Sequence, residues 1–143
     1  MEHLGRRTVL ATLLVAPLAA CGRMLGDPDD EEITRALQEA IEASPHYADG
    51  TLRFQHSVSR GTAIDGGLTV DATDEPSLRS AFEDLLRRLS AAYQEQLPDD
   101  PAQVAVIARA SADRTLALAP EQVVTARDAG HPTTDDLAEH FGG

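Results

Sequence analysis

The chain has 143 residues, with 12 basic against 24 acidic side chains and a formal net charge of −12. A surface this acidic repels phosphate backbones and anionic headgroups, so nucleic acid is not an expected partner. Every basic side chain is arginine and Cys21 is the only cysteine, which leaves no disulfide and no thiolate metal site to build a fold around.

The N-terminal stretch holds Arg6 and Arg7, then an apolar run over residues 8–20 that closes on Leu18-Ala19-Ala20-Cys21. A charged start, a short apolar run and small residues before a cleavage point form the pattern of a secretory signal peptide. The run is too short to cross a bilayer, which takes about 20 apolar residues, and no later stretch is apolar for longer.

Leu18-Ala19-Ala20-Cys21 resembles the lipobox of bacterial lipoproteins. The resemblance implies that the Cys21 thiol is diacylglycerylated, that the signal is cut between Ala20 and Cys21, and that the new amino end is acylated. Small Ala19 and Ala20 leave the bond open to a peptidase, and a thiolate has the nucleophilicity that thioether formation needs. One acyl chain binds marginally, at about 0.8 kcal/mol per buried methylene, whereas two or three hold stably. The opposing reading is an N-terminal helix with an ordinary core cysteine. Arg6-Arg7, followed by Val9 and Leu10, is similar to a twin-arginine export signal, which implies export in the folded state. Gly5 stands where that signal carries a hydroxyl residue, and no lysine follows; a general secretory signal is the alternative reading of the same pair. Either route gives one address, the extracytoplasmic face of the cell membrane, reached through a lipid anchor.

Beyond the signal, the remaining chain has the size of one ordinary domain. Residues 21–29 form the lipidated cysteine and a tether of about 15 Å reach, and the acids Asp27, Asp29, Asp30, Glu31 and Glu32 come directly after the anchor. Asp29 or Asp30 then caps a helix whose stripe is Ile33, Leu37, Ala40 and Ile41, and Ser44-Pro45 ends it. Residues 46–49 form a loop. Leu52, Phe54, His56 and Val58 alternate with Arg53, Gln55, Ser57 and Ser59 as a half-buried strand. A loop containing Gly61, Gly66 and Gly67 leads to a second strand over residues 68–72. Thr73 or Asp74 starts the best-defined helix, with Pro76 in its first turn and Leu78, Phe82, Leu85, Leu86, Leu89 and Tyr93 on its inner side.

Leu97-Pro98 breaks that helix, Val104, Val106 and Ala108 mark a third strand, and Leu116 and Leu118 a fourth. Residues 121–132 read as irregular, and Thr133 or Thr134 caps a short helix in which Leu137 and Phe141 lie one turn apart. The order is helix-strand-strand-helix-strand-strand. It predicts an α+β two-layer sandwich over residues 30–119, with a four-stranded, mainly antiparallel sheet and both helices on one face. Residues 120–143 form a C-terminal extension whose short helix docks on the body. This pattern, with its Pro132-Thr133-Thr134-Asp135-Asp136-Leu137 tail, is similar to small lipoproteins of actinobacteria, a likeness that implies no activity.

His46, Asp49 and His56 form the nearest approach to a metal or acid–base cluster. His56, however, shares parity with Leu52 and Phe54, which reads as a histidine at the core edge with one ring nitrogen satisfied. Asp99-Asp100 lacks the alternating oxygens and glycine of a calcium loop. Phosphate loops, serine elbows and paired zinc histidines are missing, so no catalytic residue, metal or cofactor is expected. The sheet face turned away from the helices carries Arg53, Gln55, Ile107 and Arg109. It is the candidate interaction face, for an envelope protein or a second copy. The chain therefore reads as a lipid-anchored, non-enzymatic binding or interaction module; the alternative is a carrier of a small apolar ligand held between helices and sheet.

Overall fold

The computed structural model describes residues 29–59, 61–128 and 130–142. The expected signal peptide with Arg6, Arg7 and Ala20, and Cys21 with residues 22–28 of the expected tether, lie outside those residues. Among the described residues, no helix is long and apolar enough to cross a membrane.

The elements run α1 (Asp30–Glu42), β1 (Tyr47–Ser57), β2 (Gly61–Val70), α2 (Glu75–Gln96), β3 (Gln103–Ala110), β4 (Ala117–Leu118) and α3 (Thr134–Gly142), with a 3-10 turn at Pro120–Gln122 before α3. The architecture is the expected α+β class in the expected order. The sheet runs β1-β2-β3-β4. β1 and β2 pair antiparallel, as do β3 and β4, but β2 and β3 are parallel, so the sheet is mixed. Helix α2 dictates this, because a crossover helix returns the chain alongside the strand it left in the same direction.

Local chemistry sets the helix starts. Asp29 caps α1, its Oδ1 accepting from the Glu32 N–H at 2.8 Å. Asp74 and Ser77 cap α2 reciprocally, with Pro76 in the first turn, and this bonding holds the Asp74 carboxyl below its ordinary range. Ile33, Leu37 and Ile41 of α1 and Leu78, Phe82, Leu85, Leu86, Leu89 and Tyr93 of α2 are buried. They close on Leu52, Phe54, Ile64, Leu68, Val70, Val104 and Val106 of the sheet in one cluster. Each such side chain contributes about 1.5–3 kcal/mol by leaving water.

The strands differ from the sequence reading at their ends. β1 starts at Tyr47, so residues 47–49, expected in a loop, are strand. β2 starts at Gly61 rather than near Leu68. Its glycines lie in register, Gly66 opposite Leu52 and Gly67 opposite Thr51, because backbone bonds to β1 and β3 on both sides hold a strand whose side chains give no signal. Val58 lies in the turn past β1 and is fully exposed. The fourth strand is a two-residue piece.

The C-terminal extension does more than dock. The Val104 N–H donates to Pro132 O (2.8 Å) and the Thr134 N–H to Ala102 O (2.8 Å), while the Ala102 N–H donates to Thr134 Oγ1 (3.0 Å). Residues 132–134 thus pair with the start of β3, on the edge that β4 covers at its end. Leu137 and Val124 belong to the same buried cluster as the sheet, and Arg87 stacks on Phe141 at 5.4 Å from the ring centre.

Candidate functional site

Strand β1 is an edge strand, and α1 runs along it. Three polar side chains of α1 spaced four residues apart meet its outward N–H groups. The Leu52 N–H donates to Gln38 Oε1 at 2.8 Å, the Phe54 N–H to Thr34 Oγ1 at 3.1 Å, and the His56 N–H to Asp30 Oδ2 at 3.3 Å. The spacings match, since four helical residues rise about 6 Å and two strand residues about 6.6 Å. The edge is thereby closed to strand addition by side chains rather than by another strand. These residues were readable as a polar stripe at four-residue intervals; their target was not.

On the solvent side of this seam lies an open groove of about 800 Å³. Its helical wall carries Glu31, Arg35, Glu39 and Glu42, its strand wall Asp49, Thr51 and Arg53, and Leu52 and Phe54 lie at its base. Gln38 closes one end: its Nε2 donates to Glu42 Oε2 (2.7 Å) and Gly50 O (3.0 Å). The Tyr47 hydroxyl also donates to Gly50 O (2.6 Å). Burial first, then the charges of Glu42 and Asp49, push the Tyr47 phenol above its ordinary value, against the lowering effect of Gln38. The phenol thus registers a negative field at this end. Among the described residues, Arg35 and Arg53 have no ion-pair partner, and no cation pairs with Glu31, Glu39, Glu42 or Asp49.

The candidate interaction face is divided by the structure. Arg53 is exposed and belongs to the groove wall. Gln55 neighbours it on the outer face, where its Nε2 donates to Asp65 Oδ2 at 3.3 Å. Ile107 is half-buried across the sheet, opposite Gly67, and Arg109 is exposed opposite Thr69 and Ala117. Arg53 faces Asp65, which faces Ala105. Arg109 lies four residues further along and two strands over, about 16 Å from Arg53 by strand geometry. Arg53 and Gln55 therefore form one locality with the groove, and Ile107 and Arg109 another. Arg35, Gln38 and Glu42, which lie off the apolar stripe of α1 that the sequence reading named, belong to the first.

The histidines do not converge. His56 is exposed, not at the core edge; its Nδ1 lies 2.9 Å from Thr62 Oγ1 and 3.9 Å from Asp100 Oδ2. Hydroxyl and carboxylate meet the same ring nitrogen, whereas a proton relay needs them on opposite ones. Among the described residues, no group of three or more His, Cys, Asp or Glu is placed to hold a metal ion. A second depression of about 490 Å³ lies between residues 124–127 and α3, where Arg127 is already tied to Asp136 and Glu139. No family model matches the chain, and no curated protein is similar to it.

Proposed function

We propose that this is a bacterial lipoprotein, exported by the signal in residues 1–20 and held at the extracytoplasmic membrane face by lipid on Cys21. In this reading it acts there as a non-enzymatic interaction module. Its docking surface is the α1/β1 groove together with the adjoining part of the outer sheet face around Arg53 and Gln55. The observation that carries this reading is the open groove of about 800 Å³ along an edge strand, with carboxylates and arginines on both walls that have no ion-pair partner among the described residues. The volume lies within the usual range for ligand sites, about 300–1,000 Å³, but the groove opens along its length instead of enclosing its contents. Nothing favours the small apolar carrier: the apolar side chains close on one another in a single cluster, and the groove walls are charged.

The test is made in intact cells. A photo-crosslinking residue at Thr51 is expected to give discrete protein adducts that the same residue at Glu95, on the exposed side of α2, does not. Arg53→Ala should change the yield of the adduct more than Arg109→Ala does. Cys21→Ser should release the protein from the membrane fraction. Equal adducts from positions 51 and 95 remove the groove as the docking surface, and membrane retention of the serine variant removes the anchor.

A further inference from the structure

We propose that the groove between α1 and β1 takes an extended segment of another protein that carries lysine or arginine side chains. This rests on reading the groove as a docking surface and names what it receives.

Shape selects an extended segment. The helical wall has 13 residues, so the groove runs about 20 Å, the length of about six extended residues. Main-chain strand addition is not the mode, because the outward N–H groups of Leu52 and Phe54 are already satisfied by Gln38 and Thr34. Recognition must therefore come from side chains.

Charge selects the class. Glu31, Glu39, Glu42 and Asp49 outnumber Arg35 and Arg53 on the walls, and the arginines that form ion pairs among the described residues do so elsewhere: Arg87 and Arg88 with Asp84, Arg127 with Asp136 and Glu139. The wall carboxylates are left to be neutralised from outside. Glu39 and Glu42 also sit toward the C-terminal end of α1, whose last turn has no basic residue. A helix C-terminus is the negative end of its dipole, so carboxylates there work against helix stability. Burial is the larger cause of the raised Tyr47 phenol, and the charges of Glu42 and Asp49 add to it. A second copy of the chain, with its formal charge of −12, is repelled by this groove rather than drawn to it.

The full chain, labelled for amide NMR, is titrated with the peptide Lys-Val-Lys-Val-Lys-Val and separately with Glu-Val-Glu-Val-Glu-Val. The lysine probe is expected to shift the amides of residues 30–42 and 47–54 above all others. Glu39→Gln/Glu42→Gln should weaken it about fivefold, as two solvent-exposed charge contacts would, and should fold at least as well as the parent. The control Asp113→Asn/Asp128→Asn, with Asp113 in the β3/β4 connection across the sheet from β1 and neither residue lining the groove, should change it less than twofold. Equal weakening by both double variants, or shifts spread over the other acidic surfaces, reduces the effect to bulk charge and overturns the proposal. Shifts at these amides from the glutamate probe, or from raising the concentration of the chain itself, without shifts from the lysine probe, overturn the cationic class and leave the docking surface standing. No shift from any of them also overturns it, and the crosslinks from position 51 then judge the wider reading.

Discussion

Gly50 has a backbone φ of +111°, and a Cβ built on it would lie 2.3 Å from Gly67 O. Gly66, on the facing strand with φ +153°, would meet Thr51 O at the same distance. Both positions fall where β1 and β2 approach closely, and Gly50 also supplies the carbonyl that Gln38 and Tyr47 bind. Gly50→Ala is expected to destabilise by about 2–3 kcal/mol, from conformation and clash together, read as a lowered urea midpoint. A second residue of consequence is Asp84. Burial would raise its carboxyl, but bonds from Ser44 (2.6 Å) and Arg88 (2.9 Å) hold it below the ordinary value. A carboxyl depressed in the folded state contributes stability that is complete above its unfolded pKa and is lost as the pH falls through the folded one. Acid unfolding below about pH 4 should therefore be less steep in Asp84→Asn than in the parent, measured by circular dichroism across a pH series.

At the scale of the element, α1 has two jobs set by two spacings. Ile33, Leu37 and Ile41 turn into the core, while Asp30, Thr34 and Gln38 turn onto the edge of β1. Gln38→Leu keeps the volume but removes the acceptor for Leu52 N–H and the donor to Gly50 O. It should cost about 1–3 kcal/mol and speed exchange of the Leu52 amide, and a sheet edge so uncovered is prone to self-association. Unchanged exchange at Leu52 would show that the edge is guarded by the bulk of the helix and not by these bonds. The same helix was legible as amphipathic from its apolar stripe. Its polar stripe was equally visible as a spacing, but a polar stripe reads alike whether it meets water or a strand edge.

For the whole molecule, β1 is covered along its outer edge by α1, and the outer side of β3 is paired by residues 132–134 at its start and by the two-residue edge strand β4 at its end. The tail is thus part of the sheet's closure as well as a docked helix. Asp136, only 6 % exposed, accepts from the Thr133 N–H (2.9 Å) and hydroxyl (3.2 Å), while Thr134, fully buried, accepts from Ala102. Thr134→Val preserves the shape and leaves the Ala102 N–H without its acceptor, for an expected loss of about 1–3 kcal/mol. Deleting residues 132–142 should prevent cooperative unfolding altogether, since it strips β3 of its edge partner and the core of Leu137; calorimetry would show a broad transition or none. Survival of a sharp transition would mean that the body folds without the residue 132–142 tail.

Periodicity determined most of what lies inside; His56 and Val58, which share the buried parity of β1 but lie at and past its end, are exposed. Apolar steps of three and four gave α1 and α2, alternation gave β1 and β3 and with them the outward parity of Arg53, Gln55, Ile107 and Arg109, because burial is decided residue by residue along a regular element. Cap chemistry at Asp29 and Asp74 was equally local. The tertiary structure decided what those local rules cannot carry. Glycine-rich β2 became a central strand because neighbours on both sides supply its bonds. The β2/β3 pair became parallel because α2 crosses between them. The outward arginines were separated, and Arg53 was joined to α1 across a groove, because distance between elements depends on sheet order and register, which no single segment encodes.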